Sequence, residues 1–206
     1  MNNRVKHNPI VGCMRWGSWG ANFTKDQYLK IINQCLEINL NEFDHADIYG
    51  DYTTEAAFGK AFAQSKIDRK DIQLISKCGI QHTTGNRPDN KVKHYDYSKE
   101  YIIWSAENSL KNLKTDYLDV FLLHRPSPLL EPDEVAEAVA QLKKAGKILD
   151  FGVSNFTSSQ TELIREKTNI TFNQIQFSAT AFNAMTDGSL DYMQLHKIQP
   201  MAWNPL

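Results

Sequence analysis

Strand and helix signals alternate along this chain with a period of about thirty to forty residues, the length of one βα unit. No other feature restricts the fold as much. Ile10–Met14 reads as a first strand. Thr24, with Gln27 three positions on, forms a capping box that opens a helix. Tyr28, Ile31, Ile32, Cys35 and Leu36 recur at i, i+3, i+4, i+7 and i+8, one apolar stripe of that helix. A second strand ends at Asp44, a helix from about Thr54 sets Phe58, Ala61 and Phe62 on one side, and Ile72–Lys77 is the third strand.

A polar connection then runs from Cys78 to about Tyr97, broken by Gly79, Gly85 and Pro88. It is too long for a minimal turn, and long loops after barrel strands commonly serve the mouth. Ser98 opens the next helix, with Ile102, Leu110 and Leu113 inward, and Tyr117–Leu123 is the fourth strand. Asp133 is the expected cap of a helix bearing Val135, Val139 and Leu142, which Gly146 stops. Ile148–Val153 is the fifth strand, and Thr157 with Gln160 is a second capping box. Thr171–Phe177 is the sixth strand, a helix follows near Leu190–His196, and Gln199–Asn204 is the seventh. Mostly apolar strands separated by helices specify a parallel α/β architecture.

Periodicity alone does not separate a barrel from an open doubly wound sheet. No GxGxxG follows the first strand, which weighs against a nucleotide-binding open sheet. A complete (β/α)8 barrel runs to about 250 residues. The 206 residues therefore fit one TIM-barrel domain, residues 1–206, with about seven βα units and an incomplete C-terminal part.

Three strands deliver an ionisable residue at their C-terminal ends: Asp44, Lys77 and His124. The phenol of Tyr49 follows five positions after Asp44. In a parallel barrel all strand C-termini meet at one mouth, so these groups converge however distant they are in sequence. A phenol with an ordinary pKa of about 10 is a poor proton donor. An ammonium about 4 Å away, at an effective dielectric of about 20, is worth roughly 4 kcal/mol to the phenolate. That is enough to bring the phenol to about 7. Asp44 is the natural counter-ion for the lysine, and His124 would orient a carbonyl or relay a proton. The plainer readings are an internal Asp44–Lys77 ion pair, an aromatic wall at Tyr49 and a core histidine at 124. Any one of these is the better choice for a single residue; four converging groups favour chemistry.

A second polar set ends strands five to seven: Ser154, Asn155, Gln174 and Gln176, with Trp203. Hydroxyl and amide groups suit a carboxamide, and an indole suits stacking on a planar ring such as nicotinamide. Taken alone, Ser154-Asn155-Phe156-Thr157 reads more readily as a helix cap. Trp16 and Trp19 wall a pocket or plug the barrel. The histidines show no metal-ligand spacing, so no metal is expected.

Composition narrows the classes further. A formal net charge of −1 gives no electrostatic reason to expect nucleic acid or an anionic membrane. No apolar run approaches the roughly 20 residues of a membrane span. Met1–His7 lacks the apolar stretch of a signal peptide. Cys13, Cys35 and Cys78 are odd in number and form no CxxC pair, so the expected compartment is the reducing cytoplasm. Oligomeric state is left open.

The run Phe43-Asp-His-Ala-Asp-Ile-Tyr-Gly50 and Glu55-Ala-Ala-Phe-Gly59 resemble the aldo-keto reductase superfamily. So do Ile75-Ser-Lys77, Leu118–Pro126, Gly152-Val-Ser-Asn-Phe156, Asn173-Gln174 and Ala202-Trp203, in that order. The likeness is nearest to bacterial oxidoreductases of the YdhF type. It implies a (β/α)8 barrel and NADPH-dependent reduction of an aldehyde or ketone. By the same resemblance, Tyr49 is the general acid, Lys77 lowers its pKa, Asp44 partners the lysine and His124 orients the carbonyl. Ser154, Asn155 and Gln174 hold the nicotinamide carboxamide, and Trp203 stacks on the ring. Asn204 stands where serine is frequent. The family's later segments, which hold the pyrophosphate and 2′-phosphate, have no counterpart up to Leu206. Two rival readings stay open. One is a catalytically silent truncated barrel acting as a fragment or binding module; the other is a hydrolase or lyase using His124 and Asp44.

Overall fold

The computed structural model describes residues 9–206, so the N-terminal run read for a leader peptide lies outside the described residues. Seven parallel strands form one sheet: β1 (Val11–Gly12), β2 (Glu42–Asp44), β3 (Gln73–Cys78), β6 (Leu118–Leu123), β7 (Ile148–Ser154), β8 (Phe172–Gln176) and β9 (Gln199–Trp203). They are hydrogen-bonded in that order, which is chain order, and curve into an open barrel. The seven expected strands are all present.

Helices α1 (Lys25–Glu37), α3 (Thr54–Phe62), α4 (Lys99–Leu113), α5 (Pro132–Lys144), α6 (Ser158–Arg165) and α7 (Ser189–Leu195) connect successive strands. Both expected capping boxes form. Thr24 and Thr157 accept from the backbone N–H groups of Gln27 and Gln160, whose side chains reach back to the cap residues. The cap of α5 differs from expectation: Glu131 occupies the N-cap position without a side-chain bond, and Pro132 starts the helix. Proline fits there because its missing N–H is one the first helical turn could not pair anyway. The Cys78–Tyr97 connection contains a small antiparallel hairpin, β4 (Ile80–Gln81) with β5 (His94–Tyr95). Strands of two residues are too short to leave a periodic signature.

Side-chain alternation sorts the core into two layers. Phe43, Leu74, Phe121, Leu123, Phe151, Val153 and Ile175 pack outward against the helices. Ile75, Val120, Leu122 and Met201 fill the barrel interior, with Ile10 and Phe172 against them. Continuing the inward parity along each strand reaches Asp44, Lys77, His124, Ser154, Gln174 and Trp203. That shared parity aims the candidate residues at one space. Gly79, at φ +112°, then lets the chain turn after β3; a Cβ there would meet the Tyr97 ring at 2.0 Å. The Tyr97 hydroxyl in turn donates to the carbonyl of Arg125 and accepts from its N–H, tying the ends of β3 and β6 together.

Candidate active site

Strand register brings the first group into place. Asp44 lies beside Ile75, Lys77 beside Leu122, and the His124 N–H donates to the Cys78 carbonyl at 2.9 Å. Lys77 is fully buried, a costly position for an ammonium unless each of its hydrogens finds an acceptor. Each does: Nζ donates to Asp44 Oδ1 at 2.7 Å, to the His45 carbonyl at 2.7 Å and to the Tyr49 hydroxyl at 3.2 Å. Because the phenol oxygen accepts from the lysine, its own hydrogen is free to point elsewhere. The Tyr49 and His124 rings meet edge to face, with centroids 6.0 Å apart. All four residues therefore share one buried site.

The expected acidic phenol is not what this geometry gives. Burial pushes the Tyr49 pKa up, and Lys77 offsets that only in part, opposed by the nearby Asp44 carboxylate. The coulombic argument from sequence counted the lysine and omitted desolvation. At neutral pH Tyr49 thus holds its proton. Burial, with the charges of Lys77 and Arg125, holds His124 well below the usual imidazole range. Its imidazole is neutral, and Nδ1 is buried without a hydrogen-bond partner.

Tyr49 stands at the head of α2 (Tyr49–Tyr52), a single turn with left-handed residues inside it. Gly50, Asp51 and Tyr52 have φ of 58°, 53° and 67°. For a bulky residue such as Tyr52 this region is strained, by about 1–3 kcal/mol, and persists only where its surroundings fix it. The hairpin does so: Tyr52 Oη donates to the Ile80 carbonyl at 3.1 Å and accepts from the His82 N–H at 2.9 Å. The two tryptophans divide. Trp16 is core, edge-on to Tyr28 and Phe43. Trp19 lines the mouth, 6.3 Å from the Tyr49 ring and 6.1 Å from that of His82.

The second group is assembled by β7, β8 and β9. Ser154 pairs with Gln174 in register, and Gln176 with Trp203. Ser154 Oγ donates to the Gln174 carbonyl at 3.1 Å, and Asn155 Nδ2 donates to Ser154 Oγ at 2.8 Å. Trp203 Nε1 donates to Asn155 Oδ1 at 2.9 Å, while the Arg125 guanidinium lies 5.5 Å from the indole centroid. Neither Ser154 nor Asn155 caps a helix; Thr157 does. Asn155 takes φ 62°, which asparagine tolerates better than most residues. Its Nδ2 also reaches the His124 carbonyl at 3.4 Å, so the two groups adjoin. Ser154, Asn155, Gln174 and Trp203 come together; Gln176, beside Trp203 in register, is exposed and lines a neighbouring cleft with Asn155.

Sequence reasoning passed over a buried layer behind the mouth. His45 is fully buried with both ring nitrogens unpartnered, and burial with the Lys77 charge lowers its pKa to about 3. Asp47 accepts from Tyr101 Oη and Ser105 Oγ, both at 3.1 Å. Burial and the Glu55 carboxylate raise its pKa to about 7. Glu55 accepts from Ser76 Oγ at 2.6 Å, and burial raises its pKa too. A signal existed: Glu55, Phe58 and Phe62 fall at i, i+3 and i+7, so a carboxylate shares the inward face of α3.

Seven parallel strands in sequential order, with Asp44, Lys77, Tyr49 and His124 clustered at their C-terminal ends, define the class of parallel α/β barrel to which this chain belongs. The Aldo/keto reductase family profile matches residues 10–206, and the chain belongs to that family. Oxidoreductase YcsN of Bacillus subtilis is 44% identical over 199 residues, covering 96% of this chain and 66% of the relative. Oxidoreductase YdhF of Escherichia coli is 41% identical over 199 residues, covering 96% and 65%. Among solved structures, the glycerol dehydrogenase AKR11B4 of Gluconobacter oxydans superposes with a TM-score of 0.82 at 26% identity, over 94% of this chain and 58% of the other. The chain thus spans about two thirds of the length of these curated relatives. No helix among the described residues is long and apolar enough to cross a membrane, and those residues hold no cluster of three or more metal-ligating side chains.

Proposed function

We propose that this chain reduces the carbonyl group of a small aldehyde or ketone, with Tyr49 as general acid and NADPH as hydride source. The supporting observation is the fully donated Lys77 ammonium 3.2 Å from the Tyr49 hydroxyl. A carbonyl oxygen at the mouth would accept hydrogen bonds from the Tyr49 O–H and from the N–H of neutral His124. Negative charge developing on that oxygen draws the phenolic proton across. The phenolate left behind is stabilised by the ammonium already pointed at it, and Asp44 keeps the ammonium charged. Desolvation, which raises the phenol's pKa at rest, also strengthens that attraction in the transition state.

The donor set of the second group fits a carboxamide-bearing ring. Ser154 Oγ, the Asn155 amide and the Gln174 side chain lie at adjoining strand ends beside the Trp203 indole. When bound there, NADPH would supply a hydride to the carbonyl carbon. The likeness to a glycerol dehydrogenase supports a small hydroxylated compound as substrate class.

Replacing Tyr49 by Phe removes the proton and keeps the ring. Turnover of glyceraldehyde, followed as NADPH absorbance, should fall by about 10²–10⁴-fold, the usual worth of a general acid. NADPH affinity by fluorescence titration should stay within about twofold, since the phenol belongs to the other group. Comparable turnover by the variant would overturn the assignment. Wild-type chain that neither binds nor oxidises NADPH would favour the silent binding module.

A further inference from the structure

We propose that Arg87 is a positioning residue that clasps the β4–β5 loop onto the Tyr49 turn and thereby sets a substrate wall made by His82 and Trp19. This rests on the carbonyl-reductase reading and deepens it.

Arg87 lies in the loop between β4 and β5. Its guanidinium sits 4.4 Å from the Tyr52 ring centroid and 4.5 Å from that of Trp104 on α4. A planar cation between two rings gains from both faces, which a flexible ammonium would not reproduce. Tyr52 is also held through its hydroxyl, which donates to the Ile80 carbonyl and accepts from the His82 N–H. Asn86 Nδ2 adds a bond to the Asp51 carbonyl at 2.9 Å. Asn90 Nδ2 folds the loop back on itself through Gln81 Oε1 and the His82 carbonyl. The strained residues 51 and 52 and the loop that crosses them therefore hold one another in place.

The consequence reaches the mouth in two short steps. Tyr52 fixes the backbone of His82, whose ring stands 6.1 Å from Trp19 at an interplanar angle of 45°. Trp19 stands 6.3 Å from Tyr49. The wall so formed offers an indole face, which suits C–H groups, and an imidazole, which suits hydroxyls. That pairing selects carbonyl compounds bearing hydroxyl groups next to the reacting carbon over apolar ones of equal size.

The test compares wild type, Arg87→Ala and Arg87→Lys with glyceraldehyde and butanal as probes. Arg87→Ala should raise KM for glyceraldehyde about tenfold, the sum of two exposed cation–π contacts. Its kcat should stay within about threefold and NADPH affinity unchanged, because Arg87 touches neither group. The preference for glyceraldehyde over butanal should shrink, and Arg87→Lys should lie between. Amides of residues 80–95 should exchange faster in Arg87→Ala while those of β3 and β6 do not. Unaltered KM and preference would overturn the proposal, as would faster exchange throughout the barrel, which marks a general stability role. If wild type reduces neither probe, the carbonyl-reductase reading fails. The clasp is then judged on exchange alone: local acceleration upholds it and no change overturns it.

Discussion

The two ends of the barrel treat their inward polar groups in opposite ways, half-buried and fully paired at one, buried and partly unpaired at the other. At the N-terminal end, Arg69 donates to Thr115 Oγ1, the Ile72 and Tyr117 carbonyls and Asp119 Oδ2, all at 2.6–2.8 Å, and its guanidinium lies 3.9 Å over the Tyr117 ring. Asp119 Oδ2 also accepts from the Leu74 N–H at 2.7 Å, which stitches β3 to β6. At the C-terminal end and in the layer behind it, His45, Asp47, Glu55, Gln81 and His124 each leave a buried polar atom without a partner. Buried groups are normally satisfied, so this group of unsatisfied ones at and behind the mouth contrasts with the fully paired Arg69. One end holds the barrel together; the other keeps capacity in reserve.

Lys77→Met would break this contrast most severely. It deletes the cation from the mouth, strands the Asp44 carboxylate and leaves the phenolate without support. Turnover should drop to background, and urea denaturation should show a loss of about 3–5 kcal/mol, the cost of orphaning one partner of a buried pair. Retained turnover would place the proton donor elsewhere.

Asp47→Asn sharpens the contrast through pH. The fold raises the Asp47 pKa from 3.8 to about 7, so between these values the folded chain holds a proton that the unfolded chain has released. Stability therefore falls as pH rises through that window. His45 acts oppositely. Its pKa drops from 6.5 to about 3, so stability is present above 6.5 and is lost as pH falls through the window. Between about pH 4 and 6.5 the two slopes offset, each being about 1.4 kcal/mol per pH unit. The asparagine variant should gain on wild type by on the order of 4 kcal/mol between pH 4 and 7. Urea midpoints at four pH values would measure this; parallel curves would mean that Asp47 stays ionised.

Arg69→Met tests the other end. It should lower stability by about 2–3 kcal/mol through the unpaired Asp119 and broken backbone bonds. KM and kcat at permissive temperature should remain within about twofold, because the bottom of a barrel is remote from its mouth. A kinetic change as large as that expected for Arg87→Ala would erase the division between the ends.

What was legible in the sequence was what repeats or caps. Seven strands follow from apolar runs and helix periodicity, both capping boxes from Thr-x-x-Gln spacing, and the placement of Asp44, Lys77 and His124 from their position at strand C-terminal ends. The second group was ambiguous from the residues alone, because Ser154-Asn155 stands next to a true cap at Thr157. Three things were hidden. The β4–β5 hairpin is too short to repeat, and Asp47 precedes any periodic segment, so its burial against Tyr101 and Ser105 left no pattern, although Glu55 shares the Phe58 face of α3. The resting pKa of Tyr49 depends on desolvation, which only a packed structure supplies.

Asn155 links Ser154, Trp203 and the His124 carbonyl through one short carboxamide. An engineer who repaints the Ser154–Trp203 side, proposed to take the coenzyme ring, would find the Tyr49–His124 side shifting underfoot. Changes in the two halves must travel as matched sets, and position 155 is where mismatched sets would first collide.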